Sequence, residues 1–188
     1  MTPSFLLALL PPGELTGRIT AFREQHAIED AAAFPHVTVK SGAGLMPDLW
    51  WVNSVARLVE RTPAPGVLVR GPRLFPNGTA VYLDVQSEDA MQLHLNLLRV
   101  LTPPEIPDYE GRNLKLHLTL ALHRRSVTLS EVFGQAQAEF TELDASPLAF
   151  TPPALTLMCK GGAGTAYEPV EEWLFSTLPA DAPPQVGR

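Results

Sequence analysis

Phe34-Pro35-His36-Val37-Thr38-Val39-Lys40 and Leu116-His117-Leu118-Thr119-Leu120-Ala121 lie far apart in the chain and carry one pattern. Each holds a His and a Thr separated by a single apolar residue. Each stretch is alternating or near-continuously apolar, which predicts a β-strand. In a strand, side chains two apart point to the same face, about 7 Å apart along it. Each strand therefore offers an imidazole and a hydroxyl to one side. If the two strands face each other across a cleft, two histidines and two threonines converge. Two imidazoles can supply both a base and an acid near neutral pH.

Working outward, Ser4–Leu10 reads as a strand ended by Pro11-Pro12-Gly13, and Glu14–His26 as a helix with Leu15, Ile19 and Phe22 at helical spacing. After the first motif strand and the loop Ser41-Gly42-Ala43-Gly44, Asp48 is a candidate N-cap for a helix over 49–61. Val67–Phe75 and Thr79–Val85 read as a hairpin joined at Asn77-Gly78. Ser87 can cap a third helix reaching about Leu101, with His94 inside it as a surface or satisfied core histidine. Thr102–Asn113, with three prolines, is a loop. The second motif strand spans 114–122, and a fourth helix runs from Thr128 or Ser130 to Phe140. Pro147–Lys160 and Tyr167–Leu178 form a final strand pair around Gly161-Gly162-Ala163-Gly164, a glycine loop that lacks the order of a phosphate-binding loop. Each motif strand is thus followed by a helix and then two strands, the outline of a duplicated α+β unit.

The chain has 188 residues, 45% apolar and 18% charged, with a formal net charge of -6. That length fits one domain, or two small lobes sharing a cleft. The negative balance argues against a large nucleic-acid-coating surface and suits a small substrate or an RNA end held by local basic groups. Lys40, Arg70, Arg73, Arg112, Lys115, Arg124, Arg125 and Lys160 lie on or beside the predicted strands. One cysteine, Cys159, excludes an intrachain disulfide and reads as a buried strand residue in a reducing, cytoplasmic setting. The apolar start lacks a basic region and is cut by prolines, so a strand explains it better than a signal peptide. No stretch approaches a membrane span. The tail 179–188, rich in Pro and Ala, reads as disordered.

With its two His-x-Thr motifs on apolar strands, flanked by Val37, Val39, Leu118 and Leu120, the chain resembles the 2H phosphoesterases. Within them it is similar to the 2′-5′ RNA ligase and RNA 2′,3′-cyclic phosphodiesterase proteins. The resemblance implies an α+β fold of two pseudo-twofold-related lobes, each an antiparallel sheet with flanking helices, around a central cleft. It implies one bilobal domain over residues 1–178 and a monomer. It implies an enzyme that opens 2′,3′-cyclic phosphates, at RNA ends or on nucleotides, to 2′-phosphates. The alternatives are 2′-5′ RNA ligation in the same cleft, or a non-catalytic module that binds RNA ends.

On this reading His36 and His117 are the acid–base pair, with His117 favoured as base and His36 as acid. Thr38 and Thr119 donate to the phosphoryl oxygens. Two imidazoles and neutral donors need no metal or cofactor, and the histidines lack Asp, Glu or Cys partners at ligand spacing. In an unbroken strand Lys40 shares the motif's face and is the best candidate for an extra phosphate contact. His123 has the parity of His117 and Thr119 but reads better as a strand-end residue. Among aromatics near predicted loops, Phe75 and Tyr109 are the better candidates for stacking a base, ahead of Trp50 and Trp51.

Overall fold

The computed structural model describes residues 2–29, 34–124, 127–162 and 165–177. The elements in chain order are β1 (Ser4–Leu9), α1 (Gly13–Gln25), β2 (Val37–Ser41), α2 (Val52–Val59), β3 (Val67–Leu74), β4 (Ala80–Gln86) and α3 (Glu88–Leu101). A 3-10 turn (Gly111–Asn113) then leads to β5 (His117–Leu122), α4 (Leu129–Glu139), α5 (Glu142–Ala145), β6 (Leu148–Phe150), β7 (Ala154–Lys160) and β8 (Glu168–Leu174). Arg125, Ala163, Gly164 and the tail 179–188 fall outside the described residues.

Local signals explain most boundaries. Pro11-Pro12 stops β1, and the Ser87 hydroxyl accepts from the Ala90 N–H to cap α3. The second helix starts later than expected. Leu49 sits at φ 59°, in the left-handed region, and a right-handed helix cannot run through it. Trp51 is fully buried and its Nε1 donates to the Met46 carbonyl at 2.8 Å, folding this stretch into a turn ahead of α2.

The eight strands form one sheet in the order β6-β3-β4-β5-β2-β1-β7-β8, with every neighbouring pair antiparallel. Read from the β5–β2 centre outward, the two half-sheets match: β5 with β2, β4 with β1, β3 with β7, β6 with β8. The expected pseudo-twofold pairing is present, but each half-sheet takes two strands that follow the other motif: β3 and β4 follow the first motif and join β5, and β7 and β8 follow the second motif and join β1. Pro152-Pro153 divides the expected strand 147–160, sending β6 to the edge beside β3 and β7 to the opposite half-sheet.

All the helices lie on one face. Leu15, Ile19, Val55, Leu93, Leu97 and Val132 from the helices join Leu7, Leu9, Val37, Leu83, Leu118 and Leu155 from the strands in one core. Among the described residues, the other face carries no helix. It holds a smaller apolar cluster of Leu6, Ala8 and Met158, bordered by Leu10 and Tyr167. Cys159 is half-buried in β7 rather than buried.

Candidate functional site

β2 and β5 meet where Val37 pairs with Leu118. Both of these residues point into the helix-covered core. Their chain neighbours therefore point to the open face. Continuing the antiparallel register one step each way sets His36 against Thr119 and Thr38 against His117. The two histidines then occupy diagonal corners, about 7–8 Å apart between Cβ atoms in a flat sheet, with a hydroxyl beside each.

The two imidazoles are held alike. Nδ1 of His36 lies 2.7 Å from the Phe34 carbonyl, and Nδ1 of His117 lies 2.7 Å from the Lys115 carbonyl. A carbonyl only accepts, so each Nδ1 carries the proton and each Nε2 is left for a ligand. The Thr38 and Thr119 hydroxyls make no hydrogen bond among the described residues. Burial pushes both imidazoles below their ordinary value of 6.5. The nearby Arg23 and His117 add to this at His36, and Lys115 does so at His117. Both rings thus favour the neutral form in the free protein at neutral pH.

Each motif strand carries a β-bulge one residue after its threonine. Across from β1, Thr38 pairs with Ala8 and Lys40 with Leu7, so Val39 is the extra residue. Across from β4, Thr119 pairs with Tyr82 and Ala121 with Val81, so Leu120 is the extra residue. A bulge interrupts the ladder. On both strands a buried side chain from a helix takes up the bulge carbonyl. Arg23 of α1 donates to the Leu120 carbonyl at 3.1 Å and to the Thr119 carbonyl at 2.6 Å. His94 of α3 donates from Nδ1 to the Val39 carbonyl at 2.7 Å. Arg23→Met leaves two buried carbonyls short of a donor and is expected to cost about 2 kcal/mol in a urea melt.

The bulge also corrects the reading of Lys40. It shifts the strand's parity, so Lys40 turns away from the motif face and into the core side. Lys40 is 1% exposed. Its Nζ pairs with Glu110 Oε1 at 2.8 Å and donates to the Ser41 carbonyl at 2.5 Å. It does not join the site. His94 lies in the same cluster. Its Nε2 accepts from the Gly111 N–H at 2.9 Å, which makes it the satisfied core histidine of the two readings. Burial lowers its pKa as well. Together these contacts tie β2 to the loop that leads into β5.

The model of the 2′-5′ RNA ligase superfamily matches residues 11–162, most of the chain. The protein belongs to that superfamily, within the 2H phosphoesterases. Among solved structures, Escherichia coli LigT complexed with NADP+ is similar at a TM-score of 0.60 and 16% identity, covering 93% of this chain and 99% of that one. LigT complexed with 3′-AMP gives 0.58 and 18%, covering 94% and 99%. A Thermus thermophilus protein gives 0.59 and 16%, covering 92% and 97%. These likenesses are in the fold. No curated protein sequence matches the chain.

Around this superfamily member's two motifs, the cleft walls differ in chemistry. Beside His117, Phe75 stands edge-on at 5.1 Å and Tyr82 at 5.6 Å, and the two rings lie 4.2 Å apart. Phe75 is thus brought to the motif, whereas Tyr109 is 68% exposed in the proline loop, next to Glu110, whose carboxylate lies on the core side. Asp84 pairs in register with His117, is ion-paired to Lys115 and accepts from the Gln86 amide at 3.1 Å. On the other half-sheet the face beside Thr38 is aliphatic, with Ala8, Leu6 and Met158. The bulge at Leu120 also turns His123 off the motif's parity, and it is exposed at the strand end. Among the described residues, no group of three or more His, Cys, Asp or Glu side chains could hold a metal ion. No described helix is long and apolar enough to cross a membrane.

Sequence reasoning missed Arg23, Tyr82, Asp84 and the role of His94. Arg23 had a signal: it adjoins Phe22 on the stripe of Leu15 and Ile19, where an apolar residue is the norm. Tyr82 and Asp84 sit on a strand that reads as buried core and carried no comparable mark.

Proposed function

We propose that the protein hydrolyses 2′,3′-cyclic phosphates, at RNA ends or on nucleotides, to 2′-phosphates. The observation that carries this is the matched pair of imidazoles on facing strands, each with Nδ1 held by a carbonyl and Nε2 open. One neutral Nε2 takes a proton from water as the water oxygen bonds to phosphorus. The bond from phosphorus to the ribose 3′-oxygen breaks, and the other ring, as imidazolium, protonates that oxygen. Thr38 and Thr119 donate to the non-bridging oxygens, where charge builds up. The near-symmetry of the two rings lets either begin as the base. Phe75 and Tyr82 offer an aromatic wall to the nucleobase.

The test is a product assay with cyclic-phosphate-ended RNA, with and without an acceptor bearing a 5′-hydroxyl. The expected product is a 2′-phosphate terminus in both cases, unchanged by EDTA. A joined strand as the main product replaces hydrolysis by 2′-5′ ligation in the same cleft. Tight binding with no product leaves a module that only holds RNA ends.

A further inference from the structure

We propose that a groove running off the second motif is a subsite for the next nucleotide of an RNA chain, with Arg112 gripping its phosphodiester. The proposal rests on the phosphodiesterase reading and narrows its substrate to RNA ends rather than free nucleotides. The groove has a volume of about 420 Å³ and lies between the outer side of α3 and the segment entering β5. Gln86, Met91, Leu95, Arg112 and Lys115 line it.

Three observations favour an RNA backbone as the occupant. The first is continuity with the motif. Asp84 faces His117 across β4 and β5. Gln86 and Lys115 lie two residues further along those same chain segments, about 7 Å away. Both Gln86 and Lys115 also line the groove, so a chain leaving the motif face reaches it by passing over these strand ends, one nucleotide step on.

The second is charge. Arg112 is exposed and makes no ion pair or hydrogen bond among the described residues. A guanidinium fits a phosphate with two parallel donors. Lys115 stands at the mouth with its side chain half exposed, steadied by Asp84. Glu88, also on the groove wall, confines an anion to the Arg112 side. In a chain with a net charge of -6, phosphate attraction has to be local.

The third is preorganisation. The backbone just before Arg112 is tied down from below. The Gly111 N–H donates to His94 Nε2, and Glu110 is paired to buried Lys40. Gly111 holds φ at 63°, a conformation that costs other residues strain. Arg112 is thus presented from an anchored turn, which lowers the entropy lost on binding. Among the described residues no aromatic side chain lines the groove, and Met91 and Leu95 form an apolar side. It suits ribose and phosphate in any sequence rather than one stacked base.

The experiment compares a 2′,3′-cyclic mononucleotide with a tetranucleotide ending in the same cyclic phosphate. The tetranucleotide is expected to give at least a tenfold higher kcat/KM, an advantage that shrinks as salt rises. Arg112→Gln is expected to lower the tetranucleotide value at least fivefold more than the mononucleotide value. Equal factors for both substrates, or no advantage of length, overturn the subsite. If neither substrate is turned over, the phosphodiesterase reading fails by itself. The subsite is then judged by fluorescence anisotropy of a labelled tetranucleotide with a 2′-phosphate end. Weaker binding to Arg112→Gln supports it, and equal binding to both proteins overturns it.

Discussion

His36→Ala and His117→Ala are each expected to lower kcat/KM on a cyclic-phosphate substrate by at least ~10²-fold, the usual worth of a positioned acid or base. Both rings are half-buried at the open face, and neither is bonded to another side chain. Truncation should therefore leave the fold and the melting temperature close to those of the wild type. The pH profile sharpens the test. The reactive form has one ring neutral and the other protonated. Burial disfavours the charged form of both, so both free-protein values lie below 6.5. The singly protonated form is then most populated on the acid side of 6.5, where kcat/KM should peak. A bound phosphate anion stabilises the imidazolium, so kcat should peak at higher pH than kcat/KM. Full activity in either alanine variant, or a kcat/KM that peaks well above 6.5, would falsify the two-histidine mechanism.

Lys40→Met is expected to act on stability rather than on substrate. It removes the partner of a carboxylate whose side chain is 3% exposed and whose Oε2 already has no hydrogen-bond partner. Breaking a buried pair from one side leaves an uncompensated charge and costs about 3–5 kcal/mol. Chemical denaturation measures this directly. Adding Glu110→Gln removes the stranded charge, so the double variant should recover part of the loss. A lysine that gripped substrate phosphate would behave differently, raising KM with little change in the denaturation midpoint.

Much of this was legible along the chain because it depends on near neighbours. The hairpin expected at Asn77-Gly78 does join β3 and β4, but through a longer loop: the Gly78 N–H donates to the Phe75 carbonyl, Gly78 takes φ 67°, and the Phe75 N–H closes on the Ala80 carbonyl. Ser87 caps α3 because a hydroxyl reaches an N–H three residues on. Val37 and Leu118 point inward and their neighbours outward because strand parity is local. The role of Lys40 was misread for a reason of the same kind. Parity holds only while pairing is regular, and one extra residue at Val39 reverses it. A bulge is set by the partner strand, and no residue of the β2 stretch announces it. Phe75 and Tyr109 looked alike in the sequence, each at the edge of a strand or loop. Only the hairpin's return path carries Phe75 back to His117.

The paired motifs, their strands and the hidden face of each are readable along the chain, because these follow from residue type and a period of two. That the motifs meet depends on long-range pairing, in a sheet where the two strands following each motif join the other motif's half. The tertiary structure also decided which cations are spent in the core and which remain for a ligand. Lys40 and Arg23 are held by buried acceptors, whereas Arg112 faces solvent beside the groove. Long-range pairing and burial settle that division, since a cation's partner is chosen by what lies near it in space rather than along the chain.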